Sequence, residues 1–165
     1  MTALTGILKE SQIKGTKMVY LTKSAEETEI IGKRLAASLE AGGIKRAAIA
    51  MRGELGVGKT AFTRGFASHF GISGVKSPTY TIVNEYRGRA RLFHFDMYRI
   101  TDENDLYSIG YDEYIEAEGY SVIEWSENID SALPDDTLFV TIKRCEPFPD
   151  GREITIEAKY EDFSI

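Results

Sequence analysis

The 165-residue chain has one cysteine, Cys145, and so neither an internal disulfide nor a multi-cysteine zinc site; this usage suits a reducing compartment, and the cytosol is the expected location. No apolar run comes near the eighteen or so residues needed to cross a bilayer. Residues 1–17 lack the apolar block of a secretory signal, so neither a membrane role nor export is expected. Cations are in the minority: 20 Lys and Arg against 26 Asp and Glu leave a net charge of −6, which excludes a broad basic surface for coating nucleic acid. Internal repeats, low-complexity tracts and linkers are absent too.

Core-forming residues are plentiful. They make up 42% of the chain, with 8 Phe and 9 Tyr, too many for a disordered protein, and the length fits one domain. Residues 1–17, weakly periodic and carrying Lys9, Lys14 and Lys17, read as a mobile N-terminal tail; residues 18–165 read as a single domain.

Residues 18–22 form a short expected strand. Ser24 and Glu27 then stand in capping-box spacing, and Ile30, Ile31, Leu35, Ala36 and Leu39 recur at helical spacing up to Gly42, so a helix is predicted over 24–41. The apolar run 47–51 reads as a buried strand, and 59–70 as a helix stopped by Gly71. Segments 80–86 and 91–98 flank a turn at Gly88, giving a hairpin, with short helices predicted over 102–109 and 112–117. Residues 120–125 are a compact apolar strand. Segments 137–144 and 152–160 alternate around Pro149, Asp150 and Gly151, predicting an antiparallel hairpin on the sheet edge. The fold class is α/β, a sheet covered by helices.

Residues 53–60 read GELGVGKT, a full match to G-x-x-x-x-G-K-[ST] between a predicted strand and a predicted helix. Glycines let successive N–H groups point into one concavity, and the helix adds its free donors and positive end, so an oligophosphate fits. Lys59 is expected on the β- and γ-phosphates and the Thr60 hydroxyl on Mg²⁺, while Leu55 and Val57 offer backbone. Two carboxylates compete for the metal and water: Asp96, ending an apolar strand, and Glu124, on the strand expected beside the phosphate-binding one. Trp125 has two open roles, against the nucleotide or as core under the loop. His69 and His94 read as structural, and Cys145 has no partner pattern that would make it a nucleophile.

No N-K-x-D string for guanine and no L-S-G-G-Q transporter signature occurs, which favours ATP. A small-molecule phosphotransferase and a non-catalytic, nucleotide-gated binding module remain the other classes. Arg87, Arg89, Arg91 and Arg99 form a basic group with two readings: a contact for an acidic partner or tRNA phosphate, or a solvated hairpin.

Beyond the phosphate loop, the blocks FTRGF at 62–66, SPTYTIV at 77–83, HFDMYR at 94–99 and VIEW at 122–125, in this order and spacing, resemble the bacterial TsaE family over about residues 18–160. That family is the P-loop ATPase of threonylcarbamoyladenosine modification of tRNA. The resemblance implies a three-layer fold, a mixed and mainly parallel sheet with helices on both faces and antiparallel edge hairpins. It also implies a Mg²⁺-dependent ATPase, weak alone, that works with TsaB and TsaD and meets tRNA through that complex without making the transfer itself. Carried onto this chain, Leu55, Gly56, Val57, Gly58, Lys59 and Thr60 bind phosphates, and Thr60 and Glu124 are metal ligands. Asp96 serves hydrolysis, and Thr79 lies in a switch loop near the γ-phosphate. Ser24, Ala25, Thr28 and Arg152 resemble adenine-side contacts. Glu54 departs from the Asp of many members, at a position that offers mostly backbone.

Overall fold

A computed structural model describes residues 15–79, 81–160 and 163–165, so the tail expected over 1–17 lies outside the described residues as far as position 14. In chain order the strands are β1 (Thr16–Thr22), β2 (Arg46–Arg52), β3 (Val83–Arg87), β4 (Arg91–Asp96), β5 (Gly119–Glu124), β6 (Leu138–Arg144) and β7 (Arg152–Ala158). The helices are α1 (Ala25–Ala41), α2 (Lys59–His69), α3 (Glu103–Ser108) and α4 (Tyr111–Glu116), and a 3₁₀ segment, Ser126–Ala132, follows β5. All seven strands form one sheet in the order β1-β7-β6-β2-β5-β4-β3. β4, β5, β2 and β6 run parallel, with antiparallel neighbours outside them.

Burial follows from position in the sheet. β5 lies inside the sheet between β2 and β4 and is buried at every residue, which is why it shows no alternation of buried and exposed positions. One face carries Ile49, Met51, Leu92 and Val122 and packs against α1 and α2 through Leu35, Phe62 and Phe66. The opposite face carries Ala48, Phe93, Phe95 and Ile123 and packs against α3, α4 and the 3₁₀ segment through Leu106, Tyr111 and Ile129. Helices on both faces of a mostly parallel sheet are the expected class. Each fully buried aromatic such as Phe66 contributes about 1.5–3 kcal/mol relative to its exposed state.

α1 starts as its sequence predicts: Ser24 Oγ accepts from Glu27 N at 3.2 Å, while the Glu27 carboxylate accepts from Lys23 N at 2.7 Å. α1 and α2 cross with their backbones almost touching. A Cβ added to Gly65 would stand 1.8 Å from the Glu29 carbonyl oxygen, and one on Gly32 would stand 2.1 Å from that of Phe62. This contact locks the helix that leaves the phosphate loop against the helix that leaves β1.

Beyond shifts of one or two residues at element ends, such as β4 stopping at Asp96 and β7 at Ala158, three features differ from the sequence reading. Thr16 and Lys17, assigned to the tail, belong to β1 and pair with Ala158 and Glu157. The first hairpin strand starts at Val83, because Ile82 sits at φ 66 and breaks the extended path. The C-terminal hairpin is not at the edge: β6 lies against β2, and β1 covers β7 to become the outer strand. Among the described residues no helix is long and apolar enough to cross a membrane.

Candidate functional site

The loop after β2 ends at Gly58, whose φ of 118 is open to glycine and costly for other residues. No side chain caps α2, so its first N–H groups face the cleft without an internal partner, and the positive end of the helix faces it too. Lys59 is buried. Its ammonium donates to the carbonyls of Gly53 at 2.5 Å and Glu54 at 3.3 Å, and lies 4.9 Å from the Trp125 ring centre. This arrangement of free N–H groups and an ammonium held on loop carbonyls suits a bound oligophosphate.

Sheet register brings the two carboxylates together. Asp96 and Glu124 are partners across β4 and β5, at the same end of the sheet as the loop. They differ in their contacts. Glu124, buried, accepts from the Thr60 hydroxyl at 3.4 Å, whereas Asp96 accepts from the backbone N–H of Tyr98 at 3.0 Å. Thr60 and Glu124 thus place two oxygens side by side, of the hard kind that Mg²⁺ prefers. Among the described residues no cluster of three or more His, Cys, Asp or Glu is arranged for a metal, so phosphates and water would complete any octahedron here.

A cleft of ≈ 770 Å³ is lined by Leu55, Gly56, Gly58, Lys59, Thr60, Thr79, Asp96, Glu124 and Trp125 together. It meets a second cleft of ≈ 280 Å³ at Gly58 and Ala61; that one is lined by Ser24, Ala25, Thr28, Val57 and Arg152. Ser24 is already engaged as the α1 cap, and Thr28 Oγ1 lies 3.0 Å from Thr22 Oγ1. The Arg152 guanidinium donates to the carbonyls of Val57 at 2.5 Å and Gly151 at 2.7 Å, tying the C-terminal hairpin to the loop. Thr79 is exposed on the segment between α2 and β3; its carbonyl accepts from the Arg99 guanidinium, and its hydroxyl is 3.2 Å from that of Ser77.

Trp125 stands between the cleft and the core. It lines the cleft, yet it also packs on the core behind β5 and meets Tyr98 edge-on at 5.0 Å, with its backbone at φ 55. The basic group divides. Arg87 and Arg91 both pair with Glu85 at 3.1 Å, Arg89 pairs with Glu40 at 2.9 Å, and Arg99 lies at the other end of β4. The hairpin arginines are therefore paired within the chain while staying exposed to solvent.

Sequence reasoning passed over three residues. Arg64 and Tyr98 also line the large cleft. Arg64 stands one helical turn after Thr60, a spacing that shows in the sequence. His94, fully buried, places Nε2 2.9 Å from the Glu124 carboxylate. Its signal was the alternation that sets His94 and Asp96 on one face of β4.

The threonylcarbamoyl adenosine biosynthesis protein TsaE family model matches residues 22–154, which include every residue named as lining the two clefts. The chain is 40% identical over 144 residues to the tRNA threonylcarbamoyladenosine biosynthesis protein TsaE of Bacillus subtilis, covering 86% of each chain. It is 36% identical over 141 residues to the Treponema pallidum protein of the same name, covering 84% of this chain and 99% of that one. The crystal structure of Bacillus subtilis YdiB superposes with a TM-score of 0.73 at 34% identity over 90% of both chains. With the motif, the sheet order and these relatives in agreement, the chain belongs to the TsaE family, which acts in tRNA threonylcarbamoyladenosine biosynthesis.

Proposed function

We propose that this chain binds ATP with Mg²⁺ and hydrolyses it in support of threonylcarbamoyladenosine modification of tRNA, working in the cytoplasm with TsaB and TsaD. The threonylcarbamoyl transfer itself is not its reaction, and tRNA is met through the complex. The observation that carries the proposal is the contact of Thr60 with Glu124, 3.4 Å apart beneath an uncapped helix N-terminus. A hydroxyl at the start of the phosphate-loop helix beside a carboxylate on the neighbouring strand suits a Mg²⁺–nucleotide.

In this proposal Leu55, Gly56, Val57 and Gly58 present backbone to the phosphates, and Lys59 moves from the Gly53 carbonyl to the β- and γ-phosphates. Thr60 and Glu124 hold the metal. Bound Mg²⁺ would offset the charge that develops on the phosphate oxygens. Asp96 orients the attacking water, and Thr79 senses the γ-phosphate from a segment that can order and release. Ser24, Ala25, Thr28 and Arg152 border the adenine side, and Trp125 closes the phosphate side.

The test is ATP hydrolysis by the purified chain, alone and with the TsaB–TsaD pair and tRNA, with Glu124→Ala as the blank. Turnover that rises with the pair and vanishes in the variant is expected. A pair that changes nothing, or a variant as active as the parent, overturns the proposal. Phosphate appearing on an added small acceptor would point to a phosphotransferase.

A further inference from the structure

His94 lies within β4 in register with Val122, two residues before Glu124 on the neighbouring strand. Its ring is fully buried beside Leu92 and Val122, both of which are also buried. Nε2 stands 2.9 Å from Glu124 Oε1, and Nδ1 is buried without a hydrogen-bond partner among the described residues. A neutral imidazole has one N–H and one lone pair, and a buried N–H without an acceptor is the worse orphan. The proton therefore belongs on Nε2, donated to the carboxylate. The same Oε1 accepts from Thr60, which leaves Oε2 without a protein partner among the described residues.

Packing alone does not call for histidine at this position. A phenylalanine or leucine would fill the space without a buried nitrogen that lacks a partner. What the imidazole adds is a single donor, aimed at one oxygen of one carboxylate. A glutamate side chain has three rotatable bonds, and an oxygen fixed from below restricts where the other can point.

We propose that His94 is a positioning residue: its Nε2–H pins Glu124 Oε1 beside Thr60 and so presets Oε2 toward the cleft for Mg²⁺. The proposal rests on the reading of Glu124 as a metal ligand.

The test measures binding of a fluorescent ADP analogue to the full chain across a Mg²⁺ titration, with folding of each variant checked by thermal melting. His94→Phe should raise the half-effective Mg²⁺ concentration by about 10- to 100-fold, with affinity in the absence of metal changed less than about two-fold. His94→Gln carries an amide N–H to the position of Nε2 and should return the midpoint to within a few-fold of the parent. Glu124→Gln should abolish the Mg²⁺ effect, and adding His94→Phe to it should cost nothing more, as residues acting through one contact do. If Glu124→Gln loses the Mg²⁺ effect and His94→Phe keeps it, the inference falls and the Glu124 reading stands. If neither variant changes it, both fall. Equal loss of metal-free and metal-bound affinity in His94→Phe marks a structural role and also overturns the inference. Should His94→Phe fail to fold, His94→Asn replaces it, since its amide reaches only the position of Nδ1; equal midpoints for Asn, Gln and parent then overturn the proposal.

Discussion

Lys59 Nζ stands 4.9 Å from the ring centre of Trp125, and Trp125 is the chain's single tryptophan. The ammonium also holds two loop carbonyls, so one cation links the loop floor to the ring. Nucleotide binding should draw it to the phosphates and away from the indole. Tryptophan emission is then expected to change on saturation with ADP, and Lys59→Ala should alter the emission of the free protein. The same variant should weaken nucleotide binding by at least ten-fold, given about 1.5–3 kcal/mol for a charge-assisted contact. Identical spectra with and without saturating nucleotide would sink the idea.

The crossing of α1 on α2 makes a second prediction, one of stability. A methyl on Gly65 would meet the Glu29 carbonyl at 1.8 Å, and that partner is backbone and cannot swing aside. Gly65→Ala gains helix propensity of about 1 kcal/mol. Overpacking of this severity costs about 1–3 kcal/mol or more, so the helices must separate and the net effect is loss. A lower urea midpoint is expected; a midpoint equal to or above the parent's would show that the helices part freely.

These two contacts differ in how far the sequence announces them. The phosphate loop is a local pattern whose backbone demands are met by residues 53–60 themselves, and the Ser24 cap is equally local. The place of β6 is not local: its alternation fits an edge hairpin, and its parallel pairing with β2 is settled by burial of Val140 and Ile142 against α1 and α2. The choice between Asp96 and Glu124 as neighbour of Thr60 depends on register between β4 and β5 and on the side-chain reach of Glu. His94 reads as structural in the sequence, because alternation sets it on the face of Asp96 but does not show that its ring reaches Glu124 on the next strand. The 3₁₀ segment after Trp125 likewise has weak periodicity, and it is held by tertiary bonds such as Ser126 Oγ to the Met51 carbonyl at 3.3 Å.

Glu40 at the end of α1 predicts a pH effect. Its carboxyl is held below the ordinary value, first by the hydrogen bond with His69 and further by the nearby Arg89 guanidinium. A carboxyl whose folded value is lowered binds protons less readily folded than unfolded. Its contribution is complete above its ordinary value of 4.5 and disappears as pH falls through the lowered one. Glu40→Gln should therefore lower the thermal midpoint near neutral pH, with the gap to the parent closing as pH falls below 4.5. The effect is small because the group is exposed, and a gap that widens in acid would refute the assignment.

Asp96 and Glu124 face each other across β4 and β5, yet their partners divide them. Glu124 is buried between His94 and Thr60, where a charge is useful if a cation arrives to meet it. Asp96 is half-buried, and one of its oxygens takes the Tyr98 N–H while the other has no protein partner among the described residues. It stands free to hold a water at the cleft. The two conservative variants should then separate by assay. Glu124→Gln should lose both Mg²⁺-dependent nucleotide binding and turnover measured with TsaB and TsaD added. Asp96→Asn should keep Mg²⁺-dependent binding within a few-fold and lose turnover by about 10²–10⁴-fold, the usual worth of a positioned acid or base. A loss of Mg²⁺-dependent binding in Asp96→Asn with turnover lost only in proportion would reverse the roles and make Asp96 the metal's carboxylate.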